Sequence, residues 1–80
     1  MFKTLVKTDA LAMDSRQFAV RYFELRTLSG ARRYSAEILL GPEDRIILDD
    51  DSVSNLETRA ARLVPATIYS RVLAAKAPAA

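Results

Sequence analysis

The sequence predicts an α+β fold, a three-stranded antiparallel meander packed against a C-terminal helix that is kinked or broken at Pro65. Three observations carry this. Residues 33–40, RYSAEILL, alternate apolar and polar side chains with the period of a half-buried strand. Ser29-Gly30 and Gly41-Pro42-Glu43-Asp44 punctuate the chain on either side as turn signals. From Val53 onward the apolar spacing lengthens to that of a helix.

The N-terminal segment, residues 1–17, reads two ways. Phe2, Leu5 and Val6 fit a helical turn, yet Phe2 to Val6 also suits a strand. Residues 7–17 read as loop or weak helix, with Asp14-Ser15 as a candidate cap. The segment is expected to add a strand or to pack as a short helix. Val20 to Leu28, VRYFELRTL, is rich in β-branched and aromatic residues and reads as the first strand of the meander. In the second, Tyr34, Ala36, Ile38 and Leu40 share one face, while Ser35 and Glu37 share the other. The third, Arg45 to Asp49, turns Ile46 and Leu48 inward. Short connections between sequential strands imply antiparallel pairing.

Val53, Leu56, Ala60, Leu63 and Val64 then form a helical stripe. Pro65 interrupts it, because inside a helix proline removes a hydrogen bond and clashes with the preceding turn, at about 3 kcal/mol. A second segment follows, with Ile68, Tyr69, Val72 and Leu73 as its expected buried stripe. The tail from Ala77 is expected to fray over residues 78–80.

Eighty residues suit one domain, 1–80, with a core near the lower size limit for independent stability. Half of the residues are hydrophobic and 28% are charged, too apolar a mixture for intrinsic disorder. The chain has no Cys and no His. That removes thiolate chemistry, the commonest general base and the commonest zinc ligand. With only two glycines there is no phosphate-cradling loop either, so no cofactor and no catalytic activity are expected. Charged residues interrupt the first twenty positions, and no stretch approaches the roughly 20 apolar residues of a membrane span. The expectation is a cytoplasmic protein without a membrane partner.

The net charge of +2 hides a segregation. Residues 1–33 carry a net +4, residues 34–57 a net −6 and residues 58–80 a net +4. The acidic peak is Ile47 to Asn55, ILDDDSVSN. A calcium loop of the EF-hand type needs oxygen ligands at alternate positions, a central Gly and a twelfth-position Glu. Counted from Asp49, Val53, Ser54 and Ala60 fall at the fifth, sixth and twelfth places, so the motif fails and no metal site is expected. The run reads as a helix start. Ser52 serves as N-cap, with Ser54 its competitor because Ser54-x-x-Glu57 matches a capping box.

Arg26, Arg32 and Arg33, beside Tyr34, are the candidate nucleic-acid-binding residues, since cations interleaved with an aromatic ring can hold phosphate and stack a base. In element order, residues 20–64 resemble the later part of a double-stranded-RNA-binding domain, and equally the small antitoxin domains that pair a three-stranded sheet with one helix. The resemblance implies nucleic-acid binding as an alternative function. One departure opposes it: RNA binders of that family carry basic residues at the start of the helix after the third strand, where this chain has Asp49, Asp50 and Asp51.

The primary expectation is a non-catalytic interaction module that binds a protein partner or itself. A three-stranded sheet leaves two edges, and an unpaired edge is a template for another chain. Leu39 and Ile47 also fall on the face opposite Ile38 and Ile46, which leaves neither face cleanly polar. Both features favour a homodimer in which the acidic block of one copy meets a basic flank of the other.

Overall fold

The computed structural model describes residues 2–13 and 15–76. Four strands precede one helix: β1 (Phe2–Met13), β2 (Arg16–Arg26), β3 (Arg32–Gly41), β4 (Asp44–Asp50) and α1 (Val53–Lys76). The strands pair in chain order, each antiparallel to the next, so the sheet is a four-stranded meander. The α+β class and the antiparallel sheet against a C-terminal helix match the expectation. The sheet has four strands rather than three because, of the two readings of the N-terminal segment, the strand is the one formed, as β1 over Phe2–Met13.

A bulge hides β1 in the sequence. Pairing shifts between Leu5 and Lys7, so Leu5 faces Phe23 while Lys7 faces Tyr22. The shift moves odd-numbered side chains from one face of the sheet to the other. Leu5 therefore lies on the face away from the helix, whereas Leu11 and Met13 join the core side. Alternation holds on each side of the bulge but is out of phase across it. Asp14 lies outside the described residues, as does the expected fraying of residues 78–80.

The core forms between one sheet face and α1. It gathers Phe18, Val20 and Tyr22 from β2, Ala36, Ile38 and Leu40 from β3, Leu48 from β4, and Leu56, Ala60 and Val64 from the helix. The register explains the grouping, because Val20 pairs with Ile38, Ile38 with Ile46, and Tyr22 with Ala36, which pairs with Leu48. At about 1.5–3 kcal/mol per buried large aliphatic or aromatic side chain, this cluster supplies most of the drive to fold. Three cations cap its aromatic rim and its neighbour across the sheet: Arg16 over Phe18, Lys7 over Tyr22 and Lys3 over Phe23, at 4.9, 5.7 and 4.2 Å from the ring centroids.

The β2–β3 connection turns on Gly30, whose φ of 82° is a conformation that L side chains avoid. Its N–H donates to the Thr27 carbonyl at 3.0 Å, and the Thr27 N–H donates to the Ala31 carbonyl at 3.0 Å. Gly41 and Asp44 pair around Pro42-Glu43 at the β3–β4 turn.

The helix begins at Ser52. Its Oγ accepts from the Asn55 N–H at 3.1 Å and its carbonyl from the Leu56 N–H at 3.2 Å, the geometry of an N-cap. Ser54 lies within the first turn, its carbonyl accepting from the Thr58 hydroxyl at 3.2 Å.

Two expectations about α1 require correction. The helix runs unbroken from Val53 to Lys76 with Pro65 inside it, and a kink there is not shown. Pro65 deprives the carbonyl four residues earlier, Ala61, of its donor. Both residues are exposed, so water can serve that carbonyl. The second correction concerns the stripe after Pro65. Ile68 packs against the core, but Tyr69, Val72 and Leu73 are 66%, 43% and 51% exposed. At 3.6 residues per turn an unbroken helix keeps its phase. That phase points Tyr69 and Leu73 away from the side occupied by Leu56, Ala60 and Val64, and leaves Val72, four residues beyond Ile68, at the margin of the core beside Leu40.

Candidate interaction surface

The sequence singled out three arginines, and the register divides them. Arg26 pairs with Arg32 at the mouth of the β2–β3 hairpin, on the same side of the sheet as Tyr22 and Tyr34. Arg33 pairs with Leu25 and projects to the opposite side. Each has an acidic partner. Arg26 and Arg32 share the Glu24 carboxylate, with nitrogen–oxygen distances of 3.3 and 3.8 Å. Arg33 donates to Asp49 at 2.8 Å and also to Asp51, and the Asp49 bond raises the affinity of its guanidinium for the proton further. The arrangement is two small ion clusters on two faces, not one basic patch. Aligned phosphates require such charge on a single surface.

The acidic run is split in the same way. Asp49 and Asp51 reach Arg33 on the open face, whereas Asp50 turns toward the helix start. There its carboxylate accepts from the Asn55 side-chain amide at 2.9 Å, the Asp51 N–H at 2.7 Å and Arg59 at 3.1 Å. The Asn55 bond foremost, then the Asp51 N–H and Arg59, hold the Asp50 carboxyl below the usual Asp range. Pleating thus gives these neighbouring carboxylates different partners. Among the described residues, no group of three or more acidic side chains is placed to share a metal ion.

The face of the sheet away from α1 carries Leu5, Phe23, Leu25, Leu39 and Ile47. An ion cluster occupies its middle. Glu37, only 7% exposed, lies 3.8 Å from Arg21 on β2 and 3.6 Å from Arg45 on β4. Lys3 covers Phe23, which leaves Leu5 and Ile47 as the large exposed apolar side chains of this face. The face is a mosaic of charged and apolar patches.

Both sheet edges carry protection. On β1, Lys3 and Lys7 flank the bulge, and bulges and lysines both discourage strand addition. On β4, which is only seven residues long, the Arg59 guanidinium donates at 2.8 Å to the Asp49 carbonyl. That bond occupies a main-chain acceptor an added strand would need.

The outer side of α1 differs from both sheet surfaces. Ser54, Thr58, Ala61, Pro65, Tyr69 and Leu73 are exposed and uncharged there, with the exposed Arg62 among them. Tyr69 and Leu73 are four residues apart and therefore neighbours on the helix surface. Sequence periodicity had identified these apolar residues but assigned them to the core. The missing information was phase, since continuity through Pro65 fixes the direction of the second stripe relative to the first.

Comparison of the chain with family models, curated proteins and solved structures finds no match. No helix among the described residues is long and apolar enough to cross a membrane.

Proposed function

We propose that this chain is a small non-catalytic interaction module, acting by association with itself or with a protein partner. The observation that carries the reading is the outward apolar pair Tyr69 and Leu73, one helical turn apart on a helix whose other side already serves the core. Solitary exposed apolar residues are ordinary, whereas large ones aligned on one helix face are the usual basis of helix-mediated recognition. The composition supports the same reading, because a chain without His or Cys lacks the commonest catalytic groups.

The test combines light scattering of the purified chain over a wide concentration range with pull-downs using the parent and a Tyr69→Glu variant as baits. The expected result is association, with itself or a captured protein, that the variant weakens. A chain that stays monomeric at several hundred micromolar and captures nothing sensitive to Tyr69 would overturn the reading.

A further inference from the structure

We infer that the groove between β4 and α1 is a binding site for a small amphipathic carboxylate. Its aliphatic chain lies on Leu48, Leu63 and Ala66, and its head group is held by Arg59 and Arg62. The site is separate from the association surface and makes no use of Tyr69 or Leu73.

The groove has a volume of about 280 Å³ and is lined by those five residues. Small-molecule sites run from roughly 300 to 1,000 Å³, so the occupant is smaller than a drug-sized ligand. Helical spacing explains the lining. Arg59 and Arg62 are three residues apart and share one flank of α1. Leu63 and Ala66 each follow one of them by four residues, about one turn or 5.4 Å further along the helix. Leu48 supplies the apolar wall on the sheet side. Cationic and apolar parts are therefore set end to end, in the order of a carboxylate on an aliphatic chain.

The head-group end is preorganised. One nitrogen of Arg59, Nη1, donates to the Asp49 carbonyl at 2.8 Å and to the Asp50 carboxylate at 3.1 Å. Those bonds hold the guanidinium in place, while its Nε and Nη2 have no acceptor among the described residues. A guanidinium presents five N–H donors in a planar fork that matches a carboxylate. Arg62 is exposed and forms no ion pair among the described residues. Asp50 offsets the charge of Arg59, so one positive charge at the groove stays uncompensated, which suits a monoanion.

Two neighbouring hollows lack this balance. The groove beneath Ile68 and Val72 contains Asp44, which already engages Arg71. The hollow at the β3–β4 turn has Glu43 and Asp44 in its lining. In both, a carboxylate of the chain stands where an anionic head group would bind. The β4–α1 groove has no acidic lining residue.

The test is a titration of the full chain with sodium octanoate, followed by amide NMR and calorimetry. Saturable shifts are expected at Leu48, Arg62, Leu63 and Ala66, with a dissociation constant of about 1 mM or below. Octanol and acetate, each lacking one half of the ligand, should bind at least about tenfold more weakly. Arg62→Gln should weaken octanoate binding by about tenfold. Ala66→Glu, which puts a carboxylate in the groove, should abolish the saturable shifts. Both positions are exposed, so the fold should survive, which circular dichroism checks. Arg71→Gln, at the neighbouring groove, should leave the constant unchanged. Equal affinity for octanol, or tighter binding of octyl phosphate, would overturn the assignment of a monocarboxylate. Octanoate binding that survives both Arg62→Gln and Ala66→Glu would overturn the site, as would the absence of saturable shifts at about ten times the expected constant. Each of these failures would leave the association reading standing, because light scattering tests that without ligand.

Discussion

Ser52 and Asp50 act together at the junction of β4 and α1, the first closing the helix start and the second bracing it. Replacing an N-cap serine by alanine costs about 1 kcal/mol. Ser52→Ala should therefore lower the urea midpoint measurably, whereas Ser54→Ala should change stability by no more than about 0.5 kcal/mol. The reverse ranking would assign the cap to Ser54. The lowered pKa of Asp50 has a defined consequence for pH. A carboxyl whose pKa is lower folded than unfolded contributes stability that is fully present above the unfolded value, near the usual Asp range. That contribution declines as pH falls through the unfolded and then the folded pKa. Asp50→Asn should accordingly flatten the acid limb of the stability curve below about pH 4, as thermal melts across the acid range would show. A parallel acid limb in the variant would mean that other carboxylates dominate.

At the scale of elements, β3 and β4 were legible because their pairing keeps a single phase from Tyr34 to Leu39, its one register shift falling between Leu39 and Gly41 beside the turn. Ala36, Ile38, Leu40 and Leu48 alternate without interruption and land in the core together. β1 was legible only as one of two readings over Phe2 to Val6 and was missed beyond it, since the bulge at Leu5–Lys7 reverses its phase and puts Lys7 and Asp9 on the same side as Leu11. The helix was legible as far as Val64. Beyond it, local proline chemistry argued for an interruption, whereas the core contacts of Leu56, Ala60, Val64 and Ile68 span the site and favour continuity. The proline penalty should then remain as a cost within the helix. Pro65→Ala should raise stability by about 2 kcal/mol, the roughly 3 kcal/mol interior penalty less the freedom returned to the unfolded chain. Urea unfolding at low micromolar concentration measures it; an unchanged midpoint would mean that the turn around Ala61 has already relaxed at little cost.

For the whole molecule, the charge segregation visible along the chain becomes a set of local ion pairs in space. Glu24 serves two arginines of the basic first block, and Asp49 and Asp51 serve a third. Arg71 of the basic last block meets Asp44 of the acidic one. These pairings were not legible in sequence, because they depend on which residues the register brings opposite one another. Single- and double-stranded RNA or DNA at low salt should show no fluorescence-anisotropy change at tens of micromolar protein. Binding that weakens steeply with salt and vanishes when Arg26, Arg32 and Arg33 are replaced by alanine would restore the nucleic-acid alternative. Of the candidate surface, the sequence carried the residue types of Tyr69 and Leu73 but not their direction, which follows only from an unbroken helix.

The order of the elements, with α1 after all four strands, has a consequence for synthesis. Each strand pairs with its immediate predecessor, so the hairpins can form in the order in which the ribosome delivers them. Leu56, Ala60 and Val64 arrive after all four strands, and until then Val20, Tyr22 and Ile38 have no helix over them. A nascent chain ending near Asp51 would carry a completed sheet with an apolar face bare to water. Such truncated products should be captured by chaperones or accumulate in the insoluble fraction, and extension through Ile68 should release them.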